Sequence, residues 1–224
     1  MKKRVLAAVL AVALVLAALP MAAAATEVSD AASLKTALEA GGEVKLSSSF
    51  TMGEHVEIVI TKPTVLDLNG CTVTKTGGAI NGFFMTINGG RLVLKDSVGG
   101  GALVADHSSH GYGIQLKSNS VLTVEGGKIQ TTQEAIDIYS TAQNVSVNIS
   151  GGEVVSTADS VLGVRGNEKI VVNITGGTLT SIGRTGVFIS SSTTPSPIQF
   201  TMTGGTLNHS SGMSGAIQAS KGSV

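Results

Sequence analysis

Three carboxylates and two arginines lie close together in the middle of the chain: Glu134, Asp137, Asp159, Arg165 and Arg184. Two carboxyls about one strand spacing apart can cleave a glycosidic bond, one protonating the leaving oxygen while the other attacks as nucleophile. The same residues can form a surface charge ladder with Asp159 beside Arg184, worth up to about 1 kcal/mol per pair, and this is the preferred reading. A second constellation is Asp106, His107 and His110 in DHSSHGY. His-x-x-His spacing lets two imidazoles converge on a metal, but no fourth ligand and no groups to orient the rings are visible, so a polar turn is preferred. Sugar binding without catalysis asks for aromatic faces beside hydrogen-bonding side chains, which Gln115, Asp137, Tyr139 and Phe188 would supply. Cys71, the only cysteine, has no histidine near it in the repeat and reads as a buried small residue rather than a nucleophile.

What positions these residues is a repeat. LTVEGGKIQ begins at Leu122, VNISGGEVV at Val147, VNITGGTLT at Val172 and FTMTGGTLN at Phe200, with Gly-Gly pairs starting at 126, 151, 176 and 204. Weaker copies precede them, in LDLNGCTV from Leu66 and LVLKDSVGGGALV from Leu92. A period near 25 predicts a solenoid in which each unit covers its neighbour's core face. Each copy holds three short strands, and their alternation predicts three inward columns: Leu122, Val147, Val172 and Phe200; Ile129, Val154, Leu179 and Leu207; Ile114, Ile136, Leu162 and Val187. An up-and-down barrel would need a two-strand repeat instead. The Gly-Gly pairs fit a tight turn requiring positive φ. On the third strand the outward column runs Gln115, Asp137, Gly163, Phe188 and Gln218, and the next runs Lys117, Tyr139, Arg165, Ser190 and Ser220. In the turn before that strand Glu134, Asp159 and Arg184 should stack on successive rungs. His209 falls inward, level with Thr131, Ser156 and Ser181, and should continue a polar ladder.

At the start of the chain a basic tip, Met1 to Arg4, precedes an apolar run of 15 residues from Val5 to Leu19, then Pro20 and alanines. This is the layout of a secretory signal peptide over 1–25, cut near Ala25, and too short to span a bilayer. Its loss leaves 12 cations against 15 anions, a net −3 that gives no footprint for nucleic acid or anionic lipid. Residues 26–42 carry a capping helix over 30–40, with Ser29 or Asp30 as its cap, and the solenoid fills 43–224. A single cysteine excludes an intrachain disulfide, and high glycine (29 residues) without a Gly-x-y period excludes collagen. The last coil stops after its third strand with Phe200, Met202, Leu207 and Ile217 facing water. The expectation is a fragment of a longer polypeptide, or failing that self-association through the C-terminal coil.

The three-strand coil, the helix before it and the LDLNG…TV phrase resemble the pectate-lyase-like superfamily, and more narrowly the Gly/Thr/Ser-rich β-helical regions of secreted and surface proteins of Gram-positive bacteria. The resemblance covers about Ala31 to the end. It implies an all-β, right-handed, single-stranded parallel β-helix of six to seven coils, with any site on the third strand and the turn before it. In pectate lyases carboxylates hold Ca²⁺ while an arginine abstracts a proton, which would make Ca²⁺ the cofactor of an enzyme here. The acid-rich calcium motif of those lyases, and the paired-Asp, His-Gly and Arg-x-Lys motifs of polygalacturonases, have no counterpart. The expected function is therefore a non-catalytic secreted or cell-surface stalk, adhesin-like, with polysaccharide or host glycan as the ligand it would take. The alternative is a polysaccharide lyase or glycoside hydrolase.

Overall fold

The structure, a computed structural model, describes residues 24–53, 55–76, 82–107, 111–191, 198–210 and 215–220. The signal-peptide reading therefore falls almost wholly outside the described residues. After a short strand and one helix, the described chain runs as seven successive triplets of strands, about six turns of a parallel β-solenoid. The first strands of the triplets form one sheet, the second strands another and the third strands another, and every pairing is parallel.

The register follows the alternation of the sequence. Leu122 lies level with Val147, Val172 and Phe200, Ile129 with Val154, Leu179 and Leu207, and Ile114 with Ile136, Leu162 and Val187. The members of these columns before the last coil are buried to within 1% of full burial and join one continuous core. In the last coil Phe200, Met202 and Leu207 are half-buried and Ile217 is exposed. The LDLNG copy sits two residues further along than its resemblance to the later copies suggests, because Leu66 pairs with Leu94 and not with Leu92.

Helix α1, Ala31–Ala40, lies over the first coil with Leu34 and Leu38 fully buried in the core. Asp30 is its cap: the side chain accepts from the amides of Ala32 and Ser33 at 2.9 Å each, satisfying donors that a helix start leaves open. Gly41 ends it at φ +82°, where an added Cβ would meet Lys62 Cβ at 2.9 Å. The strand before the helix, Thr26–Val28, has no counterpart in the repeat; it pairs with Gly42–Leu46 and extends the first sheet to eight strands.

A polar ladder runs up the interior at the corner between the second and third sheets. Thr131, Ser156 and Ser181 are buried, and their hydroxyls donate to turn carbonyls, Ser156 to Gln133 at 2.8 Å and Ser181 to Asp159 at 2.9 Å. His209 continues the ladder, its Nε2 meeting the Arg184 carbonyl. Lys75 belongs to the same column, between Met52 and Ala105. Only 4% exposed, it donates from Nζ to the carbonyls of Val56 at 2.9 Å and Phe83 at 2.6 Å. Burial holds its ammonium below the usual lysine range, against the pull of Glu57. The native state thus releases this proton before the unfolded chain does, so stability should rise as pH climbs toward the ordinary lysine value. In Lys75→Met that rise should flatten, while stability near neutral pH changes by no more than about 1 kcal/mol, because two lost hydrogen bonds are offset by relief of a buried charge. Urea midpoints across alkaline pH check this; an equally steep rise in the variant would refute it.

Candidate functional site

The outward column of the third sheet follows the alternation: Gln115 is level with Asp137, Asp137 with Gly163, Gly163 with Phe188 and Phe188 with Gln218. Alternation alone does not disclose its consequence. Gly163 leaves a gap in the column, and Arg165, two residues on, folds back across it. A Cβ at Gly163 would lie 2.6 Å from the Arg165 guanidinium and 2.7 Å from Glu134 Oε1. Through that gap Arg165 grips Glu134 with both amino groups, at 3.0 and 2.6 Å, and Asp137 at 2.6 Å. Gln115 donates to the remaining Asp137 oxygen at 3.2 Å, and the Phe188 ring lies under the guanidinium, 5.4 Å from its centroid. Gln115, Glu134 and Asp137 are consequently buried although they belong to an outer face.

The expected stack of Glu134, Asp159 and Arg184 forms only in part. Arg184 approaches Asp159 at 3.7 Å and is itself largely exposed, an ion pair of little energetic weight. Glu134 does not join it. The turn between Thr131 and Ile136 is one residue shorter than its successors between Ser156 and Leu162 and between Ser181 and Val187, so Glu134 faces Arg165. The five residues therefore divide into a buried Glu134–Arg165–Asp137 triad and a pair of half-buried Asp159 with exposed Arg184. Burial pushes the Glu134 and Asp137 carboxyls above the usual carboxylate range, with Arg165 opposing it. Burial opposes the charge of Arg165 too, but hydrogen bonds and charge from the two carboxylates outweigh it and raise the guanidinium.

Two open hollows flank the triad. The first, about 550 Å³, is lined along the third sheet by Phe83, Thr86, Gln115, Lys117 and Tyr139, together with Glu57 and Asn88. The second, about 360 Å³, is lined by Glu134 and Arg165 of the triad and by the Asp159–Arg184 pair, beside Tyr112 and Phe188. Tyr139 is 45% exposed, and the Phe83 and Tyr112 rings lie 5.0 Å apart. The sequence-level candidates for sugar contact are thus split: Gln115 and Tyr139 line the first hollow, Phe188 the second, and Asp137 lies in the ridge between them. Phe83, Tyr112 and Asn88 join them without having stood out in the sequence. Alternation marks Asn88, two residues past the outward Thr86, but it gives Phe83 and Tyr112 the parity of the inward Met85 and Ile114, so no pattern in FFMTI or YGIQL announces them.

Chemically, the triad is poorly disposed for Ca²⁺. All four of its carboxylate oxygens already accept hydrogen bonds from Arg165 or Gln115, so a cation would have to displace the arginine. His110 of the Asp106, His107 and His110 reading lies outside the described residues, and among the described residues no three His, Cys, Asp or Glu side chains are grouped to hold a metal. Cys71 is half-buried rather than buried, with its Sγ 3.7 Å from the Asn69 carbonyl. Taken together, fold and site define a parallel β-solenoid with a polar, aromatic-edged face on its third sheet. In comparisons with protein-family models, curated proteins and solved structures, none matches this chain.

Proposed function

We propose that this chain is a non-catalytic, secreted or cell-surface β-helix of the pectate-lyase-like kind, an adhesin-like stalk that binds polysaccharide across its third sheet. The observation that carries the reading is the pairing of a first hollow rich in amide, hydroxyl and aromatic groups with a triad whose carboxylates are consumed internally. A sugar hydroxyl both donates and accepts, and so do Asn, Gln, Ser and Thr side chains. A glycosidase needs two carboxyls presented to the bond being cleaved, whereas Glu134 and Asp137 face Arg165.

A second reading has one observation in its favour: both carboxyls are raised by burial beside a hollow, as a general acid requires. That reading is the lyase or hydrolase. The secreted product, expected to begin at Thr26, should therefore be incubated with pectin, alginate, glycosaminoglycans and neutral plant polysaccharides, with and without Ca²⁺. Retention on a polysaccharide without release of oligosaccharides is the expected result. Turnover that Asp137→Asn abolishes while the fold persists by circular dichroism would replace the stalk with the enzyme.

A further inference from the structure

Building on the binding role proposed above, we infer that the polysaccharide is uncharged: a neutral pyranose polymer lying obliquely across the third sheet, from the first hollow to the second. The two hollows are offset. The first is built mostly from the ends of third strands and the residues just after them, from Glu57 in the first coil to Thr141 after the fourth. The second is built mostly from the turns before third strands and from their first two residues, from Tyr112 in the third coil to Gln218 in the seventh, with Arg165 reaching in from beyond the end of its strand. A ligand touching both must cross the sheet diagonally over the Gln115–Asp137 ridge. At about 4.8 Å per rung, the seven coils offer roughly 29 Å of path. That is the footprint of an extended chain, not of a single sugar.

Charge selects the class. Along this path stand four carboxylates, Glu57, Glu134, Asp137 and Asp159, against three cations, Lys117, Arg165 and Arg184. Arg165 is spent on Glu134 and Asp137, and Arg184 opposes Asp159. Of the three, only Lys117 has no ion pair among the described residues, and Glu57 lines the same hollow. A polymer with an acid on every sugar would thus lay a row of like charges over a face that is already net negative, at a cost that few cations could repay. A neutral chain meets no such opposition. Its hydroxyls meet the exposed Asn88 amide in one hollow, where Thr86 and Gln115 form a nearly buried floor, as Ser160 and Thr185 do in the other, while the exposed Tyr139 ring offers a surface for the apolar face of a pyranose.

The test is affinity electrophoresis of the purified protein through gels containing hydroxyethyl cellulose, xylan or galactomannan, beside gels containing polygalacturonate or alginate. Retardation by at least one neutral polymer is expected, unchanged at ~1 M salt, where the Debye length is about 3 Å. It should weaken roughly tenfold in Tyr139→Ala, an exposed position whose replacement leaves the core intact. Retardation by either polyanion, and above all one abolished by salt or by Lys117→Ala, would overturn the neutral class while leaving third-sheet binding standing. No retardation in any gel, or neutral binding indifferent to Tyr139→Ala, would overturn the third-sheet reading itself.

Discussion

Arg165→Met should cost roughly 3 kcal/mol of stability at pH 7, and much less near pH 4. Removing one member of a buried ionic network leaves the others charged and without a partner, which typically costs a few kcal/mol. Here Glu134 and Asp137 would both be stranded, with side chains about 10% exposed. In the intact protein burial already pushes both carboxyls up, and Arg165 is the main influence holding them down. Without it they rise further, so the native state of the variant binds protons that the unfolded chain has released. The deficit therefore grows as pH climbs above the ordinary carboxylate values, and shrinks where native and unfolded carboxyls are alike protonated. Replacing the whole triad, as Arg165→Met with Glu134→Gln and Asp137→Asn, should recover most of the loss, because no buried charge remains. Denaturant midpoints at the two pH values decide the matter. An equal deficit at both would mean that Arg165 acts through packing against Phe188 alone.

The coil is legible in the sequence because two periods agree. Alternation within strands assigns each side chain to a face, and a repeat near 25 fixes which strands lie level, so the residue pattern by itself stacks Leu122 on Val147 and Val147 on Val172. The outward column at the candidate site is legible for the same reason. What is not legible depends on single-residue differences. The one-residue-shorter turn before Ile136 takes Glu134 away from Asp159, and the missing side chain at Gly163 lets Arg165 turn back over the sheet. Gly163 stands in the column as the one residue without a side chain, which is a signal of the gap. Lys75 contradicts the apolar pattern, yet its alternation with Val73 points it inward. The strand Thr26–Val28 has no periodic signal, being three residues held by pairing with the first coil.

Gly176→Ala should be at least as damaging as the loss of Arg165, costing about 3 kcal/mol or more, although it adds only one methyl group. The repeated Gly-Gly pair has two different demands within it. The second glycine of each pair, Gly127, Gly152, Gly177 or Gly205, sits at φ between +77° and +80°, as the tight turn requires. In the last three pairs the first glycine is needed for proximity between coils, whereas a Cβ on Gly126 would come no closer than 3.3 Å to the Asp96 amide nitrogen. A Cβ on Gly176 would lie 2.2 Å from the Ser150 carbonyl oxygen, and Gly151 and Gly204 face Glu125 and Thr175 in the same way at 2.3 Å. The obstacle is backbone, tied into parallel ladders on both sides, so no side chain can move aside to admit the methyl. The rungs must separate locally, breaking hydrogen bonds such as that from the Thr175 amide to the Ile149 carbonyl. Because each coil of a solenoid rests on its neighbours, the damage should concentrate from the sixth coil onward. Limited proteolysis should then cut beyond residue 175 in the variant under conditions that leave the parent whole. Gly89→Asn is the control: φ is +74° there, but a Cβ meets nothing within 4 Å, and asparagine tolerates that conformation. It should fold and resist protease nearly as the parent does. If Gly176→Ala behaves like that control, close approach between coils is not what the first glycine provides.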